Sequence, residues 1–373
     1  MLAGALTSPP ATSAELLPPD LAASLDALDV RTRRLLMGKL QGERRSKRRG
    51  RSVEFDDYRQ YAPGDDPRHI DWNALARLDR LFIKLFQEEE DLSLQIVLDA
   101  SPSMNAGSGR ANKLLFAARL AAAVAYLGLA HNNRVSLAVL SPRGVRLCQP
   151  LRGKRNTERL LRWLLDSAFE GIGATPQLPP SPTPTATPTA TPARAPQPPL
   201  AQTSPSAPEG FSDALTRLAR ATRGRGVVAV ISDLLVPPLD PPGYAAGLAA
   251  LRHAGGDPTG QDVYVLHTLC PEELDPGRPA PSPAPGDPAH PAAAPATPQL
   301  SGDLRLLDCE LGRATEITVT PELLRRYQMR VQEFVARAGS WCRARDIAHT
   351  LIRTDASLAE VALRSLVRLG MLA

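Results

Sequence analysis

The chain has 373 residues, 43% hydrophobic and 22% charged, the balance of an ordinary soluble globular protein. Its 37 prolines cannot be spread evenly, because no long helix or central strand would survive them, so they must be concentrated. Net charge is only +5, and the four cysteines (Cys148, Cys270, Cys309, Cys342) form no C-x-x-C pair, which argues against a zinc site or a disulfide framework and for isolated thiols in a reducing compartment.

In chain order, residues 1–30 read as an N-terminal tail whose apolar start, Met1 to Leu6, is too short for a signal-peptide core. From Arg31 to Arg51 basic residues surround a single acid, Glu43, an arm that suits nucleic acid, anionic lipid, an acidic protein surface or plain solvation. The block from Arg51 to Trp72 interleaves acids with arginines and aromatics. Together with the arm it makes a 31–91 segment expected to pack on the core, with Ile70 and Trp72 buried. Beyond it, residues 92–373 form the main domain.

Leu92 to Leu98, Arg134 to Leu140, Val227 to Ile231 and Asp262 to Thr268 are short apolar runs predicted as buried strands, with Gly144 to Cys148 at an edge. Helical periods cover Lys113 to Leu129, Thr157 to Phe169, Asp213 to Thr222 and Tyr244 to His253. Further on come strands at Asp303 to Leu307 and Glu316 to Val319, a long helix after Pro321, a strand near His349 to Ile352 and a helix from Leu358 to Leu369. Two Pro-rich insertions, 176–208 and 276–298, offer too little apolar surface to offset ordering entropy and are expected to be disordered. The alternation predicts an α/β fold: a doubly wound, mostly parallel sheet of Rossmann-like kind. No uninterrupted apolar run long enough for a membrane span is read, and the expectation is a cytoplasmic protein.

In such sheets ligands bind beyond the carboxyl ends of the strands, where connections diverge. The first apolar strand ends in Asp99-Ala100-Ser101-Pro102-Ser103, which puts one carboxylate and two hydroxyls on a tight turn. These are hard oxygen ligands for a cation such as Mg²⁺, although Ser and Asp also favour caps and turns. Another strand ends in Ser232-Asp233-Leu234, adding a carboxylate at the same edge. A bound cation would relieve the repulsion between the two acids.

This pattern resembles the metal-ion-dependent adhesion site of von Willebrand factor A domains, where a D-x-S-x-S loop, a Thr and a further Asp surround one Mg²⁺. The resemblance implies metal ligands Asp99, Ser101, Ser103, Thr175 and Asp233, with Ser212 as an alternative to Thr175, and Mg²⁺, or else Mn²⁺ or Ca²⁺, as the ion. A narrower resemblance rests on RSVEFDDYRQYAPGDDPRHIDW (Arg51 to Trp72), Asn73-Ala74, Phe82-Ile83-Lys84, Lys113-Leu114 and Ile231-Ser232-Asp233-Leu234. It is similar to the bacterial family known as domain of unknown function 58. Membership implies a von Willebrand A-like fold and a MoxR-type AAA+ ATPase as partner.

The function expected is therefore metal-dependent protein binding, an adaptor between that ATPase and an unidentified client, with no catalysis. A phosphohydrolase using Asp99 as nucleophile is the enzymatic alternative, but Ser101 stands where such enzymes need a second acid. Nucleic-acid or anionic-surface binding through 31–51 is the other alternative. The arm has no aromatic residues for stacking, so specific nucleic-acid readout is not expected. The six histidines show no metal spacing and are assigned to unrelated segments.

Overall fold

In the computed structural model the apolar runs become a six-stranded sheet covered on both faces. The structure describes residues 5–6, 8–26, 28, 30, 54–62, 67, 70–87, 92–170, 172, 210–255, 260–276, 302–307 and 314–372. The basic arm 31–51, Thr175, the 176–208 insertion and all but Pro276 of the 276–298 insertion lie outside the described residues. The chain divides into two compact units, one of residues 1–35 and 93–373 and one of residues 36–92.

The smaller unit contains β1 (Glu54–Gln60), paired antiparallel with β2 (Phe82–Gln87), and helix α3 (Trp72–Leu78) between them in sequence. Asp71 caps α3, its Oδ1 accepting the N–H groups of Asn73 (2.9 Å) and Ala74 (3.2 Å), while Tyr58 Oη donates to its Oδ2 at 2.9 Å. The sequence places Trp72 in the core. The structure corrects this, because Trp72 is the first residue of the capped helix and is 63% exposed.

In the larger unit the sheet strands are β3 (Ser93–Asp99), β4 (Arg134–Ser141), β5 (Gly144–Leu151), β6 (Gly226–Ser232), β7 (Asp262–Leu269) and β10 (Ala348–Arg353). Their order is β10-β7-β6-β3-β4-β5, all parallel except the edge strand β5, which returns antiparallel from β4. This is the mostly parallel, Rossmann-like topology that the alternation predicts, and it is also von Willebrand A-like, as the family resemblance implies. Every residue of β6 (GVVAVIS) is buried, as expected of a central strand roofed on both sides. A separate antiparallel pair, β8 (Gly302–Leu307) with β9 (Ala314–Val319), precedes the long helix α9 (Pro321–Arg343).

One face is roofed by α4 (Lys113–Ala130), flanked by α1 (Ser13–Leu16), α2 (Pro19–Leu25) and α5 (Thr157–Ala168). The stretch expected as a tail thus carries two short helices, with Leu16 and Leu25 buried and Tyr126 Oη donating to Asp26 at 2.6 Å. Helix α4 is apolar on nearly every side, which suits burial rather than a solvent-facing position. It lies tight against the sheet at Gly128, where a Cβ would be 2.6 Å from Val135 Cγ2 and 2.7 Å from Leu94 Cδ2. By length and composition α4 is long and apolar enough to cross a bilayer, although Lys113 and Arg119 interrupt its apolar run; 83% of it is buried within the domain.

The opposite face is built by α6 (Phe211–Ala221), α7 (Ala245–Arg252) and the C-terminal part of α9. Leu215, Leu218, Leu248, Leu251 and Ala338 pack there on Val97, Val228, Val230, Val263 and Val265. From β3 the chain crosses to β4 on one side, while β6 on the other side leads away to β7 and β10. The divergence falls between β3 and β6, and both candidate carboxylates stand there.

Candidate functional site

Strand β3 ends in Asp99 and the chain turns at once, the Ala100 N–H donating to Leu140 O at 2.7 Å. A single 3₁₀ turn, Pro102–Met104, follows, and Met104 anchors it from below with its side chain fully buried beside Thr268. The next stretch is fixed by Asn112, whose Oδ1 caps α4 at Leu115 N while its Nδ2 donates to Asn105 Oδ1 (3.0 Å) and Gly107 O (3.3 Å). Gly107 sits at φ +95° with a Cβ position only 2.7 Å from Ala111 O, so a side chain would not fit. The loop is therefore a rigid mount that holds Ser101 and Ser103 above the end of β3.

The two serine hydroxyl oxygens lie 3.0 Å apart. Asp99 Oδ1 accepts the Ser101 N–H at 2.9 Å, and Asp99 Oδ2 accepts from Ser232 Oγ at 2.6 Å. Ser232, the last residue of β6, in turn accepts the Leu234 N–H at 2.9 Å. The following residue, Asp233, is 1% exposed; its Oδ1 accepts the Leu235 N–H at 3.1 Å. Asp99, Ser101 and Asp233 line one cleft of about 580 Å³, with an apolar wall that includes Leu140, Val145, Phe211 and Val236. Ser212 also lines it, but its hydroxyl oxygen accepts the Gly247 N–H at 2.7 Å and ties α6 to α7.

Electrostatics at this edge are dominated by burial. The Asp99 carboxyl is pushed up to about 6, first by desolvation and then by the charge of Asp233, against the hydrogen bonds from Ser232 and Ser101. The compensating cation was not anticipated from sequence. Lys113, fully buried at the start of α4, places Nζ 2.7 Å from Asp233 Oδ2 and 2.6 Å from Glu273 Oε1. Burial works to lower its pKa, but the two carboxylates more than offset that and raise it. Glu273 belongs to the short helix α8 (Pro271–Leu274) after β7, where its Oε2 accepts the Cys270 N–H at 3.1 Å.

Parallel pairing of β7 with β10 also corrects the expectation that the histidines are unrelated. His267 Nδ1 and His349 Nε2 are 3.1 Å apart, and the His267 ring meets Phe334 edge-on. Burial, reinforced by the mutual charge, pushes His267 down to about 3, while burial and Arg343 lower His349 to about 4. Both are neutral near neutral pH, His267 fully buried and His349 partly buried beside it.

Whether the strand-end donors suit a divalent ion follows from their chemistry. Among the described residues no three His, Cys, Asp or Glu side chains form a ready-made metal cluster, so an ion would depend on the hydroxyls as well as the carboxylates. Mg²⁺ holds oxygens at roughly 2.0–2.1 Å in an octahedron, whose neighbouring ligands are then about 2.9–3.0 Å apart. The Ser101–Ser103 spacing of 3.0 Å matches that edge. Two acids beside one lysine and a third acid leave residual negative charge for a cation to neutralise. The donor set fits a hard divalent ion.

The family model described as protein of unknown function DUF58 matches residues 57–254, more than half of the chain. The chain belongs to the DUF58 family. The matched span runs from β1 through α7 and so includes Asp99, Ser101, Ser103, Lys113 and Asp233. Among similar proteins are the uncharacterized protein Rv1480 of Mycobacterium tuberculosis and the uncharacterized protein Mb1516 of Mycobacterium bovis. Each is 24% identical over 339 residues, covering 89% of this DUF58 chain and 82% of the relative.

Proposed function

We propose that this DUF58 protein is a binding module that docks a partner protein through one divalent cation, rather than a catalyst. Asp99, Ser101, Ser103 and Asp233 would hold the ion, with Thr175 supplying the further ligand that the adhesion-site resemblance implies. The observation that carries this reading is that Asp99, Asp233 and Ser101 line a single cleft, with the Ser103 hydroxyl oxygen 3.0 Å from that of Ser101. Mg²⁺ supplies an open coordination position that a partner's Asp or Glu fills, and the apolar wall beside it takes the partner's neighbouring side chains. On this reading the ion is Mg²⁺, with Mn²⁺ and Ca²⁺ as the other hard cations to test.

A second consideration supports docking over phosphoryl chemistry. A nucleophilic Asp99 needs an approachable oxygen and a neighbouring acid on the leaving group. Here both Asp99 oxygens accept hydrogen bonds from Ser101 and Ser232, and position 101 is a serine. For the partner we propose a MoxR-type AAA+ ATPase, on the family resemblance alone. Purified protein immobilised with Mg²⁺ should retain that ATPase and release it in EDTA, and Ser101→Ala with Ser103→Ala should abolish retention. Equal retention by all three samples would remove the metal from the mechanism.

A further inference from the structure

The strand-end site brings a cation of its own. Lys113 opens α4, at the helix end where the macrodipole disfavours positive charge, and its side chain is fully buried. Neither circumstance favours an ammonium unless it is paired. Pairing is supplied twice, by Asp233 at 2.7 Å and Glu273 at 2.6 Å. Three elements distant in sequence, the start of α4, the end of β6 and the turn after β7, are thereby tied beneath the cleft.

This arrangement constrains Asp233. Its Oδ2 faces the ammonium and its Oδ1 accepts the Leu235 N–H, so the carboxylate is held from both ends. Turning it toward an ion in the cleft would strip a buried lysine of one partner, and breaking a buried ion pair is strongly unfavourable. The serine hydroxyls are under no such constraint, for their oxygens can accept a metal without disrupting an ion pair.

We propose that Lys113 is a resident counter-ion that reserves Asp233, so that a divalent cation binds on Ser101, Ser103 and Asp99 and reaches Asp233 only through water. The inference rests on the metal-dependent reading above and narrows its ligand set. Lys113 is thus a positioning residue. It keeps the site assembled when the divalent ion leaves, and it weakens the ion's hold by repulsion. Metal then gates docking without gating folding.

The test uses the full chain, with Mg²⁺ binding followed by calorimetry and thermal unfolding followed in EDTA and in Mg²⁺. Wild type should stay folded in EDTA, and S101A/S103A should lose the Mg²⁺ signal. D233N should weaken Mg²⁺ binding by only about ten- to a hundredfold, the range for an outer-shell partner. K113M should bind Mg²⁺ at least about tenfold more tightly than wild type, since the repulsion is gone and Asp233 is released. Its Tm should depend steeply on Mg²⁺, a response that a merely structural lysine would not produce. If D233N abolishes binding as fully as S101A/S103A and K113M gains nothing, the inference is overturned and the metal-dependent reading stands. Should K113M fail to fold, the comparison of D233N with S101A/S103A decides alone. If wild type binds no Mg²⁺, the metal-dependent reading falls and this inference falls with it, whether or not K113M binds.

Discussion

Replacing Asp99 with Asn changes one side-chain atom and removes the charge that costs the site most. Asp99 is 2% exposed, and its pKa is pushed from 3.8 to about 6. For an acid raised in the folded state, the favourable contribution is complete below the unfolded value, near pH 3.8, and lost as pH rises through about 6. A shift of roughly two units is worth about 3 kcal/mol, and about 2 kcal/mol of that disappears between about pH 4.5 and pH 8. D99N has no such term. Urea unfolding in EDTA should therefore show the variant gaining about 2 kcal/mol on wild type as pH rises across that window. Added Mg²⁺ should erase the advantage at high pH, because only wild type keeps the carboxylate that the ion stabilises. A stability difference between the two proteins that does not change with pH would refute the reasoning, since Asp99 would then ionise as freely in the fold as in the unfolded chain.

Removing both hydroxyls in S101A/S103A should change stability in EDTA by no more than about 1 kcal/mol while eliminating cation binding, which denaturant titration and calorimetry would separate. Gly128→Ala raises helix propensity but drives a methyl into Val135 and Leu94, so it should destabilise by about 1–3 kcal/mol in urea unfolding. His267 and His349, lowered from 6.5 to about 3 and about 4, contribute stability that is present above pH 6.5 and lost as pH falls through those values. His267→Asn should therefore flatten the acid limb of the stability profile by something on the order of 4 kcal/mol.

Strands buried on both faces are continuous apolar runs, which is why LSLQIVL and VVAVI could be read directly and bounded to within a residue or two of β3 and β6. The small unit was less legible. EFDDYRQ is charged at four of its seven positions and shows no apolar alternation, so β1 leaves no signal, and Trp72 reads as a core residue although it opens an exposed helix. At the site, Asp99, Ser101, Ser103 and Asp233 were visible because they cluster at strand ends. Lys113 and Glu273 were not, since each looks like an ordinary residue at a helix start. A signal does exist: a lysine at the positive end of a helix that is apolar apart from Arg119 asks what neutralises it. The pairing of His267 with His349 depends on β10 joining the sheet beside β7, a long-range choice that local sequence does not encode.

Helix α4 also carries a consequence for synthesis. Besides β3, it packs on β4, β6 and β7, all of which lie after it in the chain. A ribosome therefore releases a bilayer-length greasy segment well before β6 and β7, which help to shelter it, exist. Until β7 has emerged, the nascent chain is exposed to aggregation and to capture by machinery that recognises hydrophobic stretches. The same helix that makes the finished core dry makes its birth the vulnerable stage.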